Sequence, residues 1–151
     1  MPVTLHKVDH ACWAGDAQVA HDLSRIYADA PAERLPLPAD EFIQQHLSSG
    51  GLFCCARFNE RLLGAIAVMC DDEAWWLSHF CVRKATRRRG VGSRLLALVG
   101  EAAYGEGCVL RVATSTLMMG DQLLLSRHGY RLVDGGNYFE LNPPASQGGN
   151  Q

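Results

Sequence analysis

Apolar positions along the chain follow two rhythms. Val19, Leu23, Ile26 and Tyr27 recur three and four residues apart, which predicts one helical face over 16–31. Asp16 is placed to cap that helix and Pro31 to end it. ADEFIQQHL predicts a second helix, stopped by Gly50 and Gly51. The rhythm then changes. LFCCARF and RLLGAIAVM are short apolar runs around the turn FNER, with Asn59 at the bend, and WWLSHFCV follows after the turn DDEA. Those runs predict three consecutive antiparallel strands, and VTLHKV predicts an earlier one.

Beyond Gly92 the helical period returns, with Val91, Leu95, Leu96 and Val99 on one stripe. CVLRVA is a buried strand, GDQLLLSRH a helix with Gly129 as its C-cap, and YRLV and NYFEL a hairpin around DGGN. The predicted order is strand, two helices, three strands, helix, strand, helix, two strands. This is an α/β (α+β) pattern, a mixed sheet with helices on its faces.

At 151 residues and 48% hydrophobic composition, the chain is expected to form one domain over 1–141. Residues 142–151, rich in Pro, Gly and polar types, are expected to be a flexible tail. No secretory h-region stands in the first fifteen residues, and no apolar run reaches the ~18–20 residues of a membrane span, so a cytoplasmic protein is expected. The six cysteines form no C-x-x-C pair to partner the H-x-x-x-H spacing of His6 and His10, so the cysteines read as reduced thiols and no metal site is expected. A net charge of -2 and a pI near 6.3 argue against a dedicated nucleic-acid binder.

Basic charge is nevertheless concentrated. Five of the fourteen Lys and Arg residues lie between Arg83 and Arg89, and Gly90 and Gly92 follow before a helix. A helix N-terminus exposes unpaired N–H groups and a partial positive charge. Glycines let a backbone approach a pyrophosphate, and flanking arginines add charge-assisted hydrogen bonds. The arrangement is an anion site. A Walker loop is absent, and a dinucleotide fingerprint lacks its third glycine, because Leu95 follows. What remains is Arg87-x-x-Gly90-x-Gly92 between a strand and a helix.

That motif resembles the acyl-CoA signature Q/R-x-x-G-x-G/A of the GNAT acetyltransferases, and the element order over Thr4 to Leu141 is similar to theirs. The resemblance implies a mixed, mostly antiparallel sheet of six to seven strands with about four helices, the fourth strand bulged and splayed from the fifth. It implies acetyl-CoA as cofactor. Backbone N–H groups of Arg88, Arg89, Gly90, Val91, Gly92 and Ser93 would hold the pyrophosphate, with Arg87 beside them. Cys81, Val82 and Arg83 would bond the pantetheine as an added strand would, and the Val82 amide would polarise the acetyl carbonyl.

ARFNERLLGA (Ala56 to Ala65), VRKATRRRGVG (Val82 to Gly92) and the closing GGNYFE also resemble the PanZ family, or PanM. That small acetyl-CoA-binding GNAT branch matures and regulates the pyruvoyl enzyme aspartate α-decarboxylase. The likeness implies a sensor with a protein partner of the aspartate decarboxylase type.

An N-acetyltransferase acting on a small amine or a protein is the alternative. Such an enzyme needs a base and an acid. The acid in GNAT enzymes is commonly a tyrosine in the last helix, and Leu125 stands at that position; Met118 stands where an asparagine often opens that helix. Ser126, one residue on, is turned about 100° away. His79, three residues before Val82, is the candidate base. Trp75 and Trp76 face opposite sides of their strand, so one is expected in the core and the other at a cleft or partner surface.

Overall fold

A computed structural model of the chain describes residues 2–31, 35, 37–117 and 119–142. Its strands are β1 (Thr4–Val8), β2 (Leu52–Phe58), β3 (Arg61–Cys70), β4 (Ala74–Val82), β5 (Val109–Ala113), β6 (Arg131–Val133) and β7 (Tyr138–Leu141). Its α-helices are α1 (His10–Gly15), α2 (Ala17–Ala28), α3 (Ala39–Ser48), α4 (Val91–Gly105) and α5 (Met119–Arg127). The strands form one seven-stranded sheet in the order β1-β2-β3-β4-β5-β7-β6. Every pairing is antiparallel except β4 with β5, which is parallel.

The predicted four helices become five. The additional one, α1, is a six-residue turn started by Asp9, whose carboxylate accepts from the Cys12 amide at 2.9 Å. It is too short to show an apolar period, and Asp9 is its only sequence signal. The other starts and stops follow the expected chemistry. Asp16 accepts from the Gln18 and Val19 amides at the head of α2. Asn59 and Glu60 both take positive φ in the tight β2–β3 turn. Gly129 closes α5 at φ 90, with the Tyr130 amide bonded back to the Leu125 carbonyl.

Each face of the sheet carries a core. On one, α4 and α5 pack Leu95, Leu96, Val99 and Leu125 against Ile66, Val68, Trp75, Leu77, Leu110, Val112 and Phe139. On the other, α2 and α3 pack Leu23, Ile26, Tyr27, Phe42 and Ile43 against Phe53, Cys55, Leu62, Ala65, Ala67 and Cys81. Strand alternation explains the division: Cys54 lies in the first core and Cys55 in the second. Asp22 is buried at 2% exposure and accepts from Arg61, Gln18 and the Leu62 amide, which ties α2 to the start of β3. Among the described residues, no helix is long and apolar enough to cross a membrane.

Candidate functional site

The sheet parts at its middle. β4 and β5 pair only from Ala74 with Val109 to Leu77 with Val112, and beyond that β4 continues alone to Val82. The cause is local. Ala65 pairs with Cys81 but Ala67 pairs with Ser78, so two residues of β4, His79 and Phe80, stand against Ile66 alone. This is a β-bulge, which bends its strand away from the ladder. His79 takes φ 51, a left-handed conformation costly for a residue with a Cβ. Its carbonyl accepts a 2.6 Å hydrogen bond from the Tyr27 hydroxyl. Its ring packs against Phe42, 4.6 Å between centroids, and Nδ1 lies 2.9 Å from the Ser78 hydroxyl.

The splay leaves a notch walled by β4, β5 and α5. Its inner end is a cavity of about 30 Å³ against Ser78, His79, Phe80, Leu117, Asp121, Leu124 and Leu125. Its outer part is an open cleft of about 410 Å³ against Phe80, Cys81, Val82, Arg87 and Asp121, with Pro31 at the rim. The Arg83 amide bonds the Leu63 carbonyl across β3. Alternation along the strand therefore turns the Val82 N–H and C=O toward the notch. The Val82 carbonyl accepts there from Arg87 Nε at 3.1 Å.

The strand-to-helix corner runs through a 3-10 turn at Lys84–Thr86, then Arg88 at φ 68 and Gly90 at φ 81. Gly90 is the N-cap of α4, no side chain caps that end, and the first helical bond runs from the Arg94 amide to the Gly90 carbonyl. A Cβ on Gly90 would meet nothing within 4 Å, so its requirement is conformational. Gly92 differs. A Cβ there would lie 2.8 Å from the tip of the Phe80 ring, so the residue lets α4 seat closely against β4.

The four arginines of the basic knot divide into two pairs. Arg83 Nε donates to the Asp29 carboxylate at 3.0 Å, the Lys84 amide donates to the same oxygen at 2.8 Å, and Arg87 donates to the Asp29 carbonyl at 2.9 Å. These bonds tie the end of β4 to the C-terminus of α2. The Lys84 amide, opposed by burial and reinforced by the Arg83 guanidinium, holds the Asp29 carboxyl below the usual range. Arg88 and Arg89 are exposed at the corner itself. Cys81 is buried in the α2 core, where its thiol donates to the Ile26 carbonyl at 3.2 Å. Val91 is core, and the Ser93 hydroxyl lies 2.9 Å from His128 Nε2.

Leu125 is buried at 5% exposure and forms part of the inner wall of the notch. Ser126 is exposed, and Met118 lies outside the described residues. Trp75 is in the α4 core, whereas Trp76 is half-buried on the opposite face, edge-on to Tyr138 and beside Arg111. Among the described residues, no cluster of three His, Cys, Asp or Glu side chains is gathered for a metal ion. Asp29, Tyr27, Asp121 and His128 belong to the site or its supports and were not singled out from sequence. Asp121 follows Gly120 at the start of the last helix, the sole signal that it faces the notch.

Residues 9–104 match the family described as the acetyltransferase (GNAT) domain, PanZ. The chain is 34% identical over 96 residues to the PanD regulatory factor of Salmonella typhimurium, covering 64% of this chain and 65% of that protein. It is 47% identical over 53 residues to the PanD regulatory factor of Escherichia coli, covering 35% of this chain and 42% of that protein. The matches therefore span less than two thirds of these relatives' own length. Among solved structures, a GNAT family acetyltransferase from Elizabethkingia anophelis with acetyl-CoA bound superposes with a TM-score of 0.63 at 24% identity, covering 87% of this chain and 78% of that one. At that identity the likeness is one of fold.

Proposed function

The chain belongs to the PanZ family of acetyltransferase (GNAT) domains, and on that ground we propose that it is a cytoplasmic, acetyl-CoA-binding regulator whose partner is an aspartate decarboxylase of the PanD type. The observation that carries this reading is the notch. β4 is parted from β5 beyond Leu77, and the uncapped N-terminus of α4 stands at the end of β4.

The residues present fit the ligand. Amides from Arg88 to Ser93 would hold the pyrophosphate, with the left-handed corner at Gly90 opening the approach. The Val82 N–H, turned toward the notch, would bond the pantetheine arm or the acetyl carbonyl, and the backbone of Cys81 and Arg83 flanks it. When bound, acetyl-CoA supplies a thioester at the inner end. Around α5 the inner end is lined by Leu117, Leu124 and Leu125, which donate no proton, and by Asp121. Among the described residues lining the notch there is no tyrosine, which favours binding over turnover.

A second reading, N-acetyl transfer to an amine, is favoured by His79, a residue that borders the same inner cavity. Two experiments separate them. Capture of the decarboxylase precursor should depend on added acetyl-CoA, and partner binding indifferent to acetyl-CoA would sink the regulator. Acetyl-CoA mixed with an amine panel should release no thiol above hydrolysis. Release that disappears in His79→Ala would establish the enzyme instead.

A further inference from the structure

The head of α4 and the end of α5 meet through a side-chain contact, the Ser93 hydroxyl 2.9 Å from His128 Nε2. Ser93 lies in the first turn of α4, whose N-terminus no side chain caps. His128 follows the last residue of α5, and its amide bonds the Leu124 and Leu125 carbonyls. The negative end of a helix favours a cation there. The ionisable residues closest in sequence to the contact are arginines: Arg89 and Arg94 around the head of α4, Arg127 on α5 and Arg131 in β6. On β7, whose Leu141 side chain lies close to Gly129, Glu140 is already held by Arg111 at 2.8 Å. Arginine stays charged throughout, whereas histidine is the side chain that changes charge near neutral pH.

We propose that His128 is a further phosphate-responsive residue of the acetyl-CoA site, which takes up a proton from solvent as the ligand's diphosphate settles on the head of α4. This rests on the reading of that corner as the pyrophosphate site and deepens it. A phosphate oxygen bonded to the Ser93 amide would lie beside the hydroxyl of the same residue. That hydroxyl can donate to the phosphate while it accepts from Nε2, which requires hydrogen on Nε2. A nearby anion further favours the imidazolium, with hydrogen on both ring nitrogens. The added proton comes from the buffer and stays on the imidazole, and no bond of the ligand breaks. Because the bound state favours the charged form, affinity rises as pH falls through the neutral range.

Calorimetry of acetyl-CoA binding to the full chain, in buffers of unequal ionisation enthalpy near neutral pH, counts the protons exchanged. The 3′-phosphate of the ligand can also exchange protons, so the quantity read is the difference between the native protein and His128→Gln. Glutamine keeps a hydrogen-bonding side chain and does not titrate. The native protein should take up about 0.3 proton more per ligand than the variant. Between about pH 8 and about pH 6 its affinity relative to the variant should rise about fivefold. His128→Lys, whose charge is fixed over that range, should lack the same pH-dependent part. An affinity ratio constant across pH, with equal proton counts, would reduce His128 to a packing contact of Ser93 and overturn the proposal. So would an uptake that survives unchanged in both variants. Failure of acetyl-CoA to bind the native protein at any pH is a separate outcome, and overturns the underlying reading.

Discussion

The Tyr27 hydroxyl reaches across 52 residues of sequence to donate a 2.6 Å hydrogen bond to the carbonyl of His79. It thereby holds from α2 the left-handed residue that bends β4 out of the sheet. A strained backbone persists only where its surroundings over-determine it. Tyr27→Phe removes that hold without opening a cavity. It should lower stability by about 1 kcal/mol in urea unfolding. It should also weaken acetyl-CoA binding more than the small stability loss implies, because the bulge can relax toward β5 and narrow the notch.

The two glycines of the corner should respond differently to one added methyl. Gly92→Ala drives a Cβ to 2.8 Å from the Phe80 ring. It should cost about 1–3 kcal/mol by overpacking, with partial rescue by Phe80→Leu in a double-mutant cycle. Gly90→Ala meets open space but must hold φ 81, which costs about 1 kcal/mol. Phe80→Leu should leave the Gly90→Ala loss unchanged. A rescue there would mean that contact with the ring, rather than conformation, fixes Gly90.

Acid should unfold the protein through three carboxylates. Burial pushes Asp22 up, but the Arg61 guanidinium, the Leu62 amide and Gln18 outweigh it and leave the carboxyl below the usual range. Asp29 and Asp71 are lowered too, chiefly by backbone amides that donate to them. A native value below the unfolded one, about 3.9 for Asp, gives stability that is complete above that pH and lost as pH falls through the native value. The contribution of these carboxylates to melting temperature should therefore be constant above about pH 5 and be lost steeply below about pH 4. Asp22→Asn should be less stable at neutral pH and show a shallower acid limb.

Tyr130 presents the opposite case. Its hydroxyl is buried in the α4 core with no hydrogen-bond partner among the described residues, and burial pushes its pKa well up. An unsatisfied buried hydroxyl opposes folding. Tyr130→Phe should raise stability by about 1 kcal/mol, read as a higher thermal midpoint. A drop would mean the hydroxyl has a partner in solution.

What the sequence made legible was local. The strand, corner and helix around Arg87, Gly90 and Gly92 are contiguous, so their spacing states the geometry directly. Turn residues such as Asn59 and caps such as Asp16 carry their conformational preference in their own chemistry. The helix α1 escaped because six residues complete too few turns to display a period. Asp29 escaped for a different reason. It meets Arg83, Lys84 and Arg87 only after α2 has folded back over the sheet, and nothing in ADAP distinguishes it from a solvated helix end. The arginines looked alike in sequence, and the fold binds two of them to α2 while leaving Arg88 and Arg89 at the surface.

The parted strands make the sheet two rafts, β1 to β4 and β5 to β7, whose ladders join through only four residue pairs. A seam so short permits torsion between the rafts, and an extended arm lying along it from Ser78 to Val82 would stiffen it. Amide protons on either side of that seam should exchange with deuterium as a group and slow together when the arm is in place. A partner that gripped both rafts would thus feel occupancy as rigidity, with no change in shape required.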